Sequence, residues 1–373
     1  MKNILIVFGG KSCEHDISVI TGVLTTNSLD GGLYNKIPVY IDNNGEWYYS
    51  PILNDLEWYK NKDFKKISKV TLVSGDNYLY SVNKGKIKKL FKIDCAINCM
   101  HGVNGEDGSL CGIMALCDIP LASPDTFTSS FSIDKDVTKI VLKGLNVNCL
   151  SYVRIMKDCF FTKKDLAIKM VENKFSYPVI VKPATLGSSI GISLANNKQE
   201  LEQALINAFS YDVKVIVERA LKNFVEINQS AYKIGEDIRL SLLERPFMEK
   251  EILSFKDKYL SSGKLPKKEF PAKISDKLKN EIYKITEKVY RKCNFNGIIR
   301  IDYLIENDVV YLNEINTVPG SLAYYLHCQN VKEFGFLLTK LIENAINDFN
   351  QKKSLKKVYL SGVLNIKGAK GKR

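Results

Sequence analysis

Histidine and tryptophan are scarce, three and two residues in a chain of 373. Three histidines leave no material for a His-rich metal centre. Cysteine is present nine times but never as C-x-x-C. Cys95 and Cys99 are four apart, Cys111 and Cys117 six apart, and none has a histidine at ligand spacing. An odd number at irregular spacing excludes a regular disulfide framework or zinc ribbon, and predicts free thiols in a cytoplasmic protein. No apolar run reaches the roughly 18–20 residues that span a bilayer. The run at 4–8, stopped by Gly9-Gly10, is too short for a signal-peptide core. Acidic residues are under-represented: 41 Asp plus Glu face 54 Lys plus Arg, a net charge of +13. That excess suggests a nucleic-acid partner first, yet no RRM or helix-turn-helix pattern and no internal repeat is found. With 45% apolar residues, the chain is globular and long enough for two or three domains.

The apolar segment 4–8, its glycine turn, a helical segment and a strand at 37–41 give an α/β opening. A further strand is expected at 94–100, a helix at 109–117, and a boundary near residue 124, where Pro120 and Pro124 punctuate the chain. A helix at 134–143, a strand at 179–182, a helix at 198–209 with Leu201, Ala204, Leu205 and Ala208 on one face, and a strand at 213–218 follow. Beyond them come a Lys- and Gly-containing stretch at 255–271 and a helix at 276–293. The tail 351–373 holds eight basic residues and no acid, with one added strand expected at 358–364.

Gly10-Lys11-Ser12 imitates the end of a P-loop. Leu5 stands where the first glycine of G-x-x-x-x-G-K-[ST] would fall, which argues against one. Glu14, with His15 and Asp16, sits past the carboxyl end of a strand, where α/β sheets bind ligands; a carboxylate there suits a substrate ammonium. The loop at 183–191 is rich in glycine and hydroxyls, and with Lys182 and Lys135 it suits phosphate. Segments 297–305 and 309–316, joined by Glu306-Asn307-Asp308, form a predicted hairpin. Alternation puts Arg300 and Asp302 on one face and Glu314 and Asn316 on one face of the partner. If the faces coincide, the oxygens suit Mg²⁺, and the small residues of 317–321 allow close ligand approach.

Four segments together carry a resemblance: Gly9-Gly10-Lys11-Ser12-Cys13-Glu14-His15-Asp16-Ile17-Ser18; His101-Gly102-x-x-Gly105-Glu106-Asp107-Gly108; Lys182-Pro183-x-x-x-Gly187-Ser188-Ser189-x-Gly191; and Arg300-x-Asp302 with Asn313-Glu314-Ile315-Asn316-Thr317-x-Pro319-Gly320. In this order they resemble the D-alanine–D-alanine ligases of the ATP-grasp superfamily, over about residues 1–350. The resemblance implies an α/β fold, α+β in its C-terminal part, with three domains: 1–124 for substrate, 125–219 as a central lid, and 220–350 carrying the hairpin and an ω-loop at about 253–272. It implies ATP-dependent, ADP-forming joining of two D-alanines through a D-alanyl phosphate, for peptidoglycan.

By the same resemblance Glu14 binds the first ammonium, and Arg300 and the Gly320 N–H stabilise the oxyanion. Ser188 links Glu14 to Tyr259, and Lys258 faces the transferred phosphate. Lys135, Lys182, Ser189, Glu218, Leu221, Glu226 and Asn313 surround ATP. Asp302, Glu314 and Asn316 hold two Mg²⁺ ions, or Mn²⁺ in their place. His101, Ser321, Tyr325 and Leu326 line the substrates; whether His101 takes part in chemistry or shapes its loop stays open. Relatives that make D-alanyl-D-lactate carry His in place of this Tyr259, so an amine is expected as second substrate. Tyr325 stands where the family usually has serine, which keeps D-serine or another small amino acid as a rival to D-alanine. A homodimer is the expected assembly, with no nucleic-acid partner and no membrane span. The tail accounts for eight of the thirteen excess charges, which leaves +5 over 1–350 and removes most of the case for nucleic acid.

Overall fold

The computed structural model describes residues 1–247 and 268–361. Three main β-sheets organise them. The first has seven strands: β1 (Lys2–Gly9), β2 (Tyr34–Ile41), β3 (Trp47–Tyr49), β4 (Ser68–Val73), β5 (Asp76–Asn83), β6 (Lys86–Lys92) and β7 (Cys95–Asn98), in the order β6-β5-β4-β3-β2-β1-β7. β1 runs parallel to β2 and β7, and the rest of the sheet is antiparallel. β1 reads as an unbroken apolar run because both its faces are covered. Ile4, Ile6 and Phe8 enter one core with Val19 and Val23 of the helix His15–Ser28, while Leu5 and Val7 enter the core on the other face with Val39 and Met114. The sheet extension over residues 47–92 carries no counterpart in the sequence reading.

The second sheet comprises β8 (Tyr152–Met156), β9 (Val179–Pro183), β10 (Ser193–Ala195) and β11 (Lys214–Arg219), in the order β10-β9-β11-β8. The helices Lys164–Glu172 and Lys198–Ala208 supply its core, and the predicted face of Leu201, Ala204, Leu205 and Ala208 is fully engaged. β12 (Val225–Ile234) and β13 (Asp237–Leu240) belong to the third sheet. β14 (Arg245–Pro246) and β15 (Lys268–Glu269) form a separate short pair. β16 (Ile299–Glu306) and β17 (Val309–Asn316) complete the third sheet, β13-β12-β16-β17. The amphipathic helix Asp276–Lys292, capped by Ser275, covers it through Leu278, Ile282, Val289 and Tyr290.

The last helix, Val331–Lys353, returns to the first sheet and buries Phe334, Leu337, Leu338, Leu341 and Ile342 in the core built by β1. Predicted elements and observed ones agree to within a few residues at most ends. The strand expected at 358–364 does not form over 358–361, which are exposed and belong to no strand, and 362–364 lie outside the described residues. Among the described residues no helix is long and apolar enough to cross a membrane.

Candidate active site

The carboxyl end of β1 turns sharply through Gly9 (φ +89°) and Gly10 (φ +96°). A side chain at Gly9 would collide with the Ile41 carbonyl, so the turn demands glycine. Ser18 accepts from the Gly9 N–H at 2.7 Å and donates to the Cys99 carbonyl at 2.8 Å. The His15 ring bridges the Gly10 carbonyl and the Tyr40 hydroxyl, so it is structural, and Asp16 faces solvent. Glu14 opens the helix His15–Ser28 and is buried. Ser188, from the loop after β9, donates to its carboxylate. A Cβ on Gly102 (φ +72°) would lie 2.5 Å from Ser12 Oγ and 2.9 Å from Glu14 Oε2; only glycine leaves that carboxylate room.

Asp134 caps the helix Lys135–Gly144 by accepting from the N–H groups of Asp136 and Val137, which sets Lys135 at the first helical position. Lys135 is buried; its ammonium donates to the Leu186 carbonyl at 2.5 Å and lies 3.8 Å from Glu314. One turn on, Lys139 is 1% exposed and pairs with Glu218 at 2.6 Å, while Lys182 pairs with the other oxygen of Glu218 at 2.6 Å. Burial alone would raise the Glu218 pKa. The two ammonium groups, Lys182 and Lys139, outweigh it and hold the carboxyl down at about 2. Lys182 also donates to Asn313 Oδ1 at 3.3 Å, which ties the second sheet to the hairpin.

The hairpin faces do coincide. Arg300 stands opposite Asn316 and Asp302 opposite Glu314, with a register shift just beyond. Arg300 grips Asp302 with two hydrogen bonds, 2.6 and 2.8 Å, and Asn316 donates to the same carboxylate at 3.1 Å. Among the described residues no three His, Cys, Asp or Glu side chains cluster in a metal-binding group. The donor set here is two carboxylates and one amide, all oxygen, which fits a hard divalent cation that keeps part of its water shell.

The loop after β17 is held by the N-terminal sheet's side of the molecule. Glu106 accepts from Gly102 N–H at 2.8 Å and from Val318 N–H at 3.1 Å. Burial, then the charges of Glu14 and Glu314, raise its pKa to about 8. His101 is buried beside Thr21, and burial lowers its pKa to about 4. Ser321, Leu322 and Ala323 all have φ near +50°, a left-handed run without glycine that costs about 1–2 kcal/mol per residue. Tyr325 hydrogen-bonds with Arg300, and Lys268 lies 4.5 Å over its ring and 2.8 Å from Glu244. Leu326 is buried in the core.

A cleft collects these parts: Glu106, Ser132, Lys135, Leu186, Gly187 and residues 314–317 line it. Ser189 (φ +58°) lies in the same loop as the lining residues Leu186 and Gly187. Leu221 lies in the connection from β11 to β12 and Glu226 near the start of β12; Arg219 and the Lys222 N–H pin that connection on Glu306 at 2.6 and 2.8 Å. Lys258 and Tyr259 lie outside the described residues, as does most of the expected ω-loop. Sequence reasoning gave no role to Thr21, Lys139 or Glu106. Lys139 follows Lys135 by four positions, a spacing that puts both on one helical face; Thr21 carries no comparable sign.

Two family profiles match the chain, one described as D-ala D-ala ligase N-terminus over residues 3–124 and one as D-ala D-ala ligase C-terminus over residues 141–347. The chain belongs to the D-alanine–D-alanine ligase family. It is 38% identical over 352 residues to the D-alanine–D-alanine ligase of Thermosipho melanesiensis, covering 93% of each chain. Its fold matches the crystal structure of D-alanine–D-alanine ligase from Helicobacter pylori with a TM-score of 0.76 at 27% identity, covering 92% of this chain and 98% of that one. The VanG D-Ala:D-Ser ligase from Enterococcus faecalis shares the fold, with a TM-score of 0.76 at 24% identity over 93% of this chain and 99% of that one. The architecture of three sheets around one cleft is the ATP-grasp fold of this family.

Proposed function

We propose that the cleft between Glu14, Lys135 and the β16–β17 hairpin joins D-alanine to D-alanine, with the division of labour below. The reaction is ATP-dependent and ADP-forming, and serves peptidoglycan synthesis. The observation that carries the residue assignment is the convergence of Lys135, Gly187, Glu314 and Asn316 on one cleft beside the buried Glu14–Ser188 pair.

Glu14 holds the ammonium of the first D-alanine, and Ser188 fixes the carboxylate's orientation. Lys135 and Lys182 receive the phosphates of ATP as point charges. Glu218 keeps Lys182 in place, and Ser189, Leu221, Glu226 and Asn313 surround the nucleotide. Asp302, Glu314 and Asn316 would hold two Mg²⁺ ions, which when bound neutralise phosphate charge. The first D-alanine's carboxylate takes the γ-phosphoryl group and ADP leaves. The neutral amine of the second D-alanine then attacks the acyl carbon, a C–N bond forms, and phosphate departs. Arg300 and the Gly320 N–H face the oxygen where negative charge develops, and such preoriented donors count most in a site that excludes water. His101, Ser321, Tyr325 and Leu326 bound the substrate side. Lys258 and Tyr259 complete the closed site in this reading. The division into 1–124, 125–219 and 220–350, a homodimeric state and a cytoplasmic location belong to the same proposal.

A second reading, D-serine as the second substrate, rests on Tyr325 in the place where serine is usual. Phosphate release across a panel of D- and L-amino acids, with product masses, separates the two. D-alanine alone is expected to give D-alanyl-D-alanine, and to remain the preferred acceptor when D-serine and D-lactate compete at equal concentration. A predominance of D-alanyl-D-serine or of ester at neutral pH would reject the assignment.

A further inference from the structure

Thr21 lies in the middle of the helix His15–Ser28, and its side chain is 1% exposed. Its hydroxyl has two partners in different parts of the chain. Ser321 N–H donates to Thr21 Oγ1 at 3.1 Å, and His101 Nε2 lies 2.8 Å from the same oxygen. An amide N–H can only donate, so Thr21 accepts there. A hydroxyl carries one proton and two lone pairs, so Thr21 can still either donate to His101 Nε2 or accept from it, and the tautomer of the ring decides which. The ring also bonds the Val318 backbone, and that bond raises the ring's pKa as a carbonyl acceptor does; with Nε2 against Thr21, the nitrogen that donates there is Nδ1, which leaves Nε2 bare to accept the Thr21 proton. The proton of the neutral ring therefore sits on Nδ1. The chain of donors runs from Ser321 N–H to Thr21 O–H to His101 Nε2, and from His101 Nδ1–H to Val318.

Two backbone points, Val318 and Ser321, are thus fastened to the N-terminal helix and the loop after β7. Between them lie only Pro319, whose ring locks φ, and Gly320. The left-handed run begins at Ser321, and strained backbone of this kind persists only where its surroundings over-determine it. We propose that Thr21 is a positioning residue for the ligase reaction: through Ser321 N–H and neutral His101 it fixes the direction of the Gly320 N–H towards the developing oxyanion. The inference rests on the ligase reading above, and it assigns His101 to shaping the loop.

The full-length T21V variant, equal in shape but without the hydroxyl, tests this. Its kcat is expected to fall about ten- to a hundred-fold, as small misplacements of catalytic donors do, with the KM for ATP changed by less than about twofold. T21S, which keeps the hydroxyl, is expected to restore kcat to within about threefold of wild type. The Nδ1–H tautomer, held by the Val318 backbone, should persist in all three proteins, while the ¹⁵N shift of His101 Nε2 should move in T21V, where its hydroxyl donor is gone, and return in T21S. A T21V kcat within twofold of wild type, a T21S loss as large as that of T21V, or an unchanged His101 Nε2 shift in T21V would each overturn the proposal. If T21V does not melt cooperatively, T21C, with a weaker donor and acceptor of similar size, carries the same expectations. Wild-type protein that releases no phosphate with D-alanine would reject the ligase reading instead, and the His101 shifts would still decide whether the Thr21 link exists.

Discussion

Ser188 donates a hydrogen bond to the carboxylate of Glu14, a residue 174 positions earlier in the chain. The first comes from the loop after β9 and the second from the turn after β1, so the bond closes the second sheet onto the first. It also leaves Glu14 oriented while the remainder of the carboxylate faces the cleft wall at Gly102 and Gly187.

E14Q keeps the shape and removes the charge. Loss of a charged partner for a buried ammonium costs about 2–4 kcal/mol, so kcat/KM for D-alanine should fall about 30- to 1,000-fold with the KM for ATP little changed. S188A, which only frees the carboxylate to rotate, should cost about tenfold or less. Steady-state kinetics with D-alanine varied at saturating ATP measures both. A larger loss in S188A than in E14Q would contradict the order of roles.

E314Q removes one of two carboxylates opposed across β16 and β17. Phosphate release should drop at least about a thousandfold, because positioning and charge neutralisation make up most of phosphoryl-transfer catalysis. Glu314 is partly exposed and paired only loosely with Lys135, so the melting temperature should move by no more than a few degrees. Unchanged turnover would remove Glu314 from the metal assignment.

Glu218 and the two lysines that flank it form a buried triad. E218Q leaves Lys139 and Lys182 without their counter-charge and should cost about 3–5 kcal/mol of stability. K139M leaves Glu218 its bond to Lys182 and should cost less. Urea unfolding of both variants at pH 7 reads the difference; equal costs would mean that Lys139 alone carries the pair.

Acid should destabilise the protein in two stages. His101 and His327 are held neutral by burial, with pKa values of about 4 against an ordinary 6.5. Their stabilisation is present above the unfolded value and is lost as pH falls from 6.5 towards 4, by about 3 kcal/mol for His101. Glu218, depressed from 4.5 to about 2, loses its contribution only below pH 4.5. Glu106, raised from 4.5 to about 8, works the other way and gains stability as pH falls, so urea midpoints should change little between pH 7.5 and 5.5 and fall clearly by pH 4.0; equal stability at 7.5 and 4.0 would refute this account.

The sequence by itself determined the pieces whose causes are local. The unbroken apolar run of β1 and its Gly9-Gly10 stop, the helical face of Leu201 and Leu205, and the polar turn between β16 and β17 follow from side-chain periodicity and backbone sterics acting over a few residues. Alternation also placed Asp302 with Arg300 and Glu314 with Asn316, two residues apart on their strands. The register that made those faces coincide was decided by pairing across the hairpin. The extension over residues 47–92, the return of the last helix to the β1 core, and the pairing of Glu218 with two lysines are long-range. They depend on which surfaces remain to be covered once neighbouring elements have packed. Thr21 shows the limit most plainly: a hydroxyl in a helix acquires its role only when folding brings His101 and Ser321 within hydrogen-bond distance. No spacing along the chain encodes that meeting; the packing of the N-terminal helix against the loop after β17 creates it.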